Sequence, residues 1–123
     1  MKNEEFAEAL NTMAKEVHTQ NKRWWININT GGPLNRNVGE LLMLCVSELA
    51  EAMEGHRKDL YDDHLKHRKA FEVELADCLI RIFDIGAGMG LDLGNAFVEK
   101  LSYNQQRADH KTENRLKPGG KKY

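Results

Sequence analysis

A chain of 123 residues, 41% hydrophobic and 30% charged, is sized for one compact domain with a modest core, which makes burial by self-association plausible on size alone. A formal net charge of −1 gives no long-range pull toward nucleic acid or an anionic membrane, and no apolar run approaches the about 18 residues that span a bilayer. The opening Met1-Lys2-Asn3-Glu4-Glu5 is polar and lacks a secretion-signal core, so cytoplasm is the default location and Cys45 and Cys78 are expected as reduced core residues. Only two prolines and few β-branched clusters point to an all-α protein read as a single domain, 1–123, with a basic tail over 108–123.

The first helix is expected over 4–20, with Asn3 as its N-cap and Glu4 and Glu5 at the positive end of its dipole. Phe6, Leu10, Met13, Ala14 and Val17 form a stripe at helical spacing, suited to a core or a dimer surface. Residues 21–36 break the pattern: Lys22-Arg23-Trp24-Trp25 is basic then aromatic, and Asn29-Thr30-Gly31-Gly32-Pro33 reads as a loop. Trp24 and Trp25 either cap the core or offer one ring for stacking on a nucleobase, and the sequence does not choose between them.

Two helices follow, over 38–57 and 69–89, and each carries a pair of acids three residues apart: Glu48 and Glu51, then Glu74 and Asp77. At this spacing the acids of a pair lie roughly 60° apart on a helix. They are flanked by Leu41, Leu44, Cys45 and Ala52 in the first helix and by Ala70, Phe71, Cys78 and Ile85 in the second, so they interrupt faces that ought to be buried. A buried carboxylate without a partner costs several kcal/mol. Antiparallel packing of the two helices would bring the four acids into one cleft, where a hard divalent cation such as Mg²⁺ is the natural compensation. The plain alternative pairs them with Arg57, Lys58 and Arg81. Asn37 with Glu40 predicts a capping box, and Gly55 followed by His56-Arg57-Lys58 predicts the end of the first acidic helix.

The connector 59–68 is charged and is expected to be partly helical; its His64 and His67 lack a third ligand and make weak evidence for a soft metal. Arg81 is placed to neutralise the acids or to meet a phosphate. Gly86-Ala87-Gly88-Met89-Gly90 ends the second acidic helix. A last helix over 93–107, capped by Asp92, sets Lys100, Asn104 and Arg107 on one face as donors for phosphate oxygens, or simply as a polar surface. From Arg107 onward six Lys/Arg face two acids, which reads as a mobile or draped basic tail.

Ser47-Glu48-Leu49-Ala50-Glu51, a gap of 22 residues, and Glu74-Leu75-Ala76-Asp77 resemble the ExxE…ExxD signature of the MazG-like all-α nucleoside triphosphate pyrophosphohydrolases. Lys100-x-x-x-Asn104-x-x-Arg107 is similar to that family's downstream substrate helix, so the resemblance covers roughly 37–107. It departs at Ser47, where many members carry a glutamate. The resemblance implies an antiparallel bundle of four to five helices, assembled as a homodimer or a dimer of dimers. It implies a hydrolase acting on acid anhydrides, which cleaves (deoxy)nucleoside triphosphates between the α- and β-phosphates with Mg²⁺ or Mn²⁺. Glu48, Glu51, Glu74 and Asp77 would be the metal ligands, Glu51 the catalytic base, and Lys100, Asn104, Arg107, Arg81, Trp24 and Trp25 the substrate contacts. The rival readings are a phosphoribosyl-ATP-type pyrophosphohydrolase of the same fold and a non-enzymatic helical interaction module. A nucleic-acid binder is disfavoured by the charge balance.

Overall fold

The computed structural model describes residues 2–123. Five α-helices form: α1 (Asn3–Gln20), α2 (Val38–Arg57), α3 (Ala70–Gly88), α4 (Leu93–Gln106) and the short α5 (Thr112–Arg115). Among the described residues the extended backbone amounts to two isolated bridges, Ile26 with Pro33 and Tyr61 with Lys69. Among the described residues no helix is long and apolar enough to cross a membrane.

Capping chemistry sets the ends of the central helices. Asn37 accepts a hydrogen bond from the Glu40 amide at the start of α2, and Asp92 does the same for Asn95 at the start of α4. The reciprocal half of the expected capping box is absent among the described contacts, because the Glu40 carboxylate turns to Arg36 instead. Asn3 lies inside α1 as its first residue and is not its cap. The Gly86–Gly90 run does stop α3: the helix closes at Gly88, and Gly90 takes a left-handed φ of 68° that costs glycine nothing.

The chain divides into two compact units, and the boundary falls within α1. The larger, Thr12–Leu91, is built on α2 packed against α3. The two helices run antiparallel, since Cys45 on α2 meets Cys78 on α3 while Gly55, later on α2, packs against Ala70 at the start of α3. Leu41, Cys45, Ala52 and Cys78 are the buried apolar residues of this seam, and both cysteines are free thiols. Among the described residues no large side chain is completely enclosed, so the seam is thin for a chain of this size.

Residues 26–34 form the loop expected of them, and one connector differs from expectation. Residues 59–68 are not helical: the Asp62 carboxylate gathers the amides of His64 and Leu65 into a turn, and the Asp62 amide closes onto the Arg68 carbonyl. Local side-chain acceptors of this kind compete with helix for the same amides. Residues 26–34 fold back as a tight loop in which the Asn27 side chain accepts from Asn29 and Thr30.

The second unit comprises the residues up to Asn11 together with Asp92–Tyr123. Here α1 and α4 touch through Ala7 and Gly94, and Asn11 ties the Gly94 amide and the Asp92 carboxylate together. The stretch after α4 is ordered by its own hydrogen bonds and is not a draped tail. A 3₁₀ turn at Ala108–His110 leads into α5, Asn114 donates to the Ala108 carbonyl, and Arg115 donates to the carbonyls of Lys121 and Lys122. Composition hid this, because the contacts are local polar bonds rather than apolar burial.

A Cβ at position 94 would collide with the Ala7 backbone, which cannot rotate away. Gly94→Ala should therefore destabilise the protein by roughly 1–3 kcal/mol, the range for overpacking, as read from urea denaturation. An unchanged midpoint would show that α1 and α4 are not in this close contact.

Candidate metal centre

Glu48 and Cys45 lie one turn apart on α2, and Asp77, Glu74 and Arg81 occupy successive turns of α3. Antiparallel packing then delivers Glu48 to the α3 acids. Carboxylate oxygens of Glu48, Glu74 and Asp77 lie within 4.8 Å of one another. Glu48 is 8% exposed, and Glu74 and Asp77 are half-buried. The fourth acid, Glu51, stands apart from this trio and is exposed, yet its carboxylate approaches Glu74 closely enough to act on it. Ser47, one residue before Glu48, is exposed and spends its hydroxyl on the Leu44 carbonyl.

The electrostatics are uneven. Arg81 Nε donates to Glu48 Oε1 at 3.0 Å, which gives Glu48 a partner. Glu74 has none: its Oε2 is buried with no hydrogen-bond donor facing it. Burial, together with the neighbouring Glu48 and Glu51 carboxylates, pushes the Glu74 carboxyl up to about 8. Burial and the Glu48 charge also raise Asp77. In the metal-free protein a proton on Glu74 is the cheapest way to let acceptor face acceptor.

The donor set fits a hard divalent cation. All three ligands are carboxylates, the oxygen donors that Mg²⁺ and Mn²⁺ prefer, and the orphaned Glu74 oxygen is a buried acceptor that an ion would satisfy. His64 and His67 are both exposed and join no cluster of ligand type among the described residues.

A cleft of about 530 Å³ adjoins the trio. Glu48, Asp77 and Arg81 stand at the acid end, and Leu41, Leu44, Ile80 and Ile85 give it an apolar floor. Trp24, Arg36, Glu40 and Asp84 also line it. Glu40 precedes Glu48 by eight residues on α2, about 12 Å at the helical rise. The two tryptophans have separate tasks. Trp24 lines the cleft and is 59% exposed, with Arg23 over its ring. Trp25 is half-buried: its ring packs on Gly88, and its indole N–H donates to both oxygens of Asp84 at 3.0 and 3.1 Å. His18 Nδ1 meets the same carboxylate at 2.8 Å, and Arg36 lies over the Trp25 ring while donating to the Trp24 carbonyl.

Arg36 and Asp84 escaped the sequence reading as cleft residues. Asp84 had a signal, since it follows Asp77 by seven residues and so shares its helix face. Arg36 had none, because it precedes α2 and reaches the cleft through the loop's path.

The three remaining substrate candidates lie on the second unit. Lys100 is exposed, with Nζ 4.7 Å from the Tyr103 ring centre. Asn104 is half-buried, and its Oδ1 has no donor. Arg107 leaves the helix as the C-cap of α4, where Asp109 accepts from its Nε and Nη2 at 3.0 and 2.7 Å. The expected shared face thus holds for Lys100 and Asn104, while the guanidinium of Arg107 is already committed.

The raised Glu74 carboxyl has a defined sign. Below its ordinary value of 4.5 both folded and unfolded chains hold the proton; between there and about 8 only the folded chain does. The stability contributed by Glu74 is therefore full in acid and is lost as pH rises through this window. The metal-free melting temperature should fall between pH 5 and about 8 in the native chain and fall less in Glu74→Gln. Added Mg²⁺ should raise it more at the alkaline end, because the ion takes the ionised form. A native profile that is flat or rising, and matched by the variant, would contradict this arrangement.

Comparison with protein-family models, with curated proteins and with solved structures finds no match.

Proposed function

We propose that this chain is a MazG-like nucleoside triphosphate pyrophosphohydrolase, a Mg²⁺-dependent hydrolase that releases nucleoside monophosphate and pyrophosphate. The observation that carries the reading is the meeting of Glu48, Glu74 and Asp77 from two antiparallel helices, with a buried Glu74 oxygen that no protein donor satisfies. A salt-bridge network would have given that oxygen a lysine or arginine.

Glu48, Glu74 and Asp77, with Glu51 beside Glu74, would hold the ion. When bound, it would neutralise phosphate oxygens and the charge gathering on departing pyrophosphate. Arg81, at the junction of trio and cleft, would fix a phosphate. Trp24 offers an exposed ring to the base in the cleft that Glu48 and Asp77 also line. Glu51, at the edge of the trio, would also accept a proton from the attacking water. The water oxygen bonds to phosphorus, the bridging bond between the α- and β-phosphates breaks, and pyrophosphate leaves.

Self-association belongs to the same proposal. Leu42, Val46, Leu49 and Met53 lie at alternating spacings of four and three on α2, and Leu75, Leu79 and Ile82 do so on α3. All are exposed, and such seams are built to pack against another helix. A homodimer or dimer of dimers would cover them.

A second reading keeps the acids structural and the protein a non-enzymatic helical module. The Glu48–Arg81 pair favours it. It predicts no pyrophosphate from any nucleotide, even with Mn²⁺. A phosphoribosyl-ATP substrate would be separated from the triphosphates by the same assay.

Glu48→Gln should lower Mg²⁺-dependent pyrophosphate release at least about 100-fold, beyond the usual loss of an outer-shell partner. The helical circular dichroism should persist, because the freed Arg81 is 39% exposed and can turn to water. Near-native release by this variant would end the metal-centre reading. Light scattering should give two or four times the mass of the 123-residue chain; a monomer at micromolar concentration would end the assembly reading.

A further inference from the structure

The pair between Glu48 and Arg81 is lopsided. The Glu48 side chain is 11% exposed and that of Arg81 39%, so the acid is fixed at the seam while the cation has room to leave. Arg81 spends only Nε on the contact, at 3.0 Å; its two Nη groups make no hydrogen bond among the described residues. Arg–carboxylate pairs frequently use both arms of the fork, and this one uses a single nitrogen. Glu48 is also the acid of the trio that lies on α2, so any ion shared between the two helices must claim it. Arg81 in turn borders the cleft beside Asp77, one turn away on α3.

We propose that Arg81 is a displaceable counter-ion: it occupies Glu48 in the metal-free protein, gives that carboxylate up to an entering divalent cation, and swings into the cleft as a phosphate ligand. The inference rests on the metal-centre reading and adds an order of events to it. A single guanidinium offsets one negative charge, whereas three carboxylates converge where Glu48 stands. A divalent ion therefore outcompetes Arg81 for the same oxygen. The liberated fork is then available to a polyphosphate, so metal occupancy prepares the phosphate site and an empty centre keeps it closed.

The test uses the full chain at pH 8.5, with Mn²⁺ and inorganic tripolyphosphate as probes in isothermal titration calorimetry. Arg81→Gln removes the competing charge, so it should bind Mn²⁺ roughly threefold more tightly than the native chain, or better. Tripolyphosphate binding to the Mn²⁺-loaded variant should weaken roughly tenfold or more, the loss of a charge-assisted contact. Arg81→Lys should restore the native order of both. Weaker Mn²⁺ binding in Arg81→Gln would show that Arg81 supports the centre and does not compete for it. Unchanged tripolyphosphate binding would remove its second role. Either result overturns the proposal while leaving the metal centre standing; a native chain that binds no Mn²⁺ overturns both.

Discussion

Negative charge held at the seam between α2 and α3 is the constraint on which the rest of this structure depends. The seam is small: Leu41, Cys45, Ala52 and Cys78 supply its buried apolar surface, and among the described residues no bulky one is fully enclosed. Into it the sequence places Glu48, with Glu74 and Asp77 alongside. Desolvating an unmatched carboxylate costs several kcal/mol, a large fraction of the about 5–15 kcal/mol by which domains are stable. Arg81 relieves Glu48, and a proton relieves Glu74. Arg81 meets Glu48 through Nε alone, and no donor among the described residues faces Glu74 Oε2, so the seam holds charge that its fold leaves partly unmatched.

The surroundings of the trio are correspondingly rigid. Each of α2 and α3 is held by its own backbone hydrogen bonds, so the spacing between Glu74 and Asp77 is set by helical rise and not by loop position. The far side of the cleft is held by a polar knot in which Asp84 takes the Trp25 indole N–H and His18 Nδ1, while Arg36 spans the two tryptophans. That knot fixes Trp25 against Gly88 and leaves Trp24 as the free ring. The aromatic pair read in the sequence as interchangeable is thus divided by one carboxylate.

Much of this was legible in the residues. Asn37, Asp92 and the glycines after Ile85 mark helix ends through local chemistry, and local chemistry is what a sequence displays. The three-residue spacing of the acids, set among apolar neighbours, revealed that they face a partner helix. What the spacing could not convey was the register between the helices, and register decides which acids touch. It brings Glu48 level with Glu74 and Asp77 and leaves Glu51 on the exposed side. The end of the chain was opaque for another reason: its order comes from side chains bonded to nearby carbonyls, such as Asn114 to Ala108, and composition carries no trace of such pairings.

A thin seam with charge in it raises the question of where stability comes from. The exposed row Leu42, Val46, Leu49 and Met53 runs along the same helix that bears Glu48, on positions that alternate with it. Burying aliphatic side chains of this size is worth about 1.5–3 kcal/mol each, so even partial cover by another helix would offset a desolvated carboxylate. Separating the two tasks on opposite sides of α2 has a physical logic. One side can carry unfavourable charge because cover on the other would offset what that charge costs. A helix wholly committed to a monomeric core would have no such side to spare, which is why the acidic face and the apolar face of α2 are best understood together.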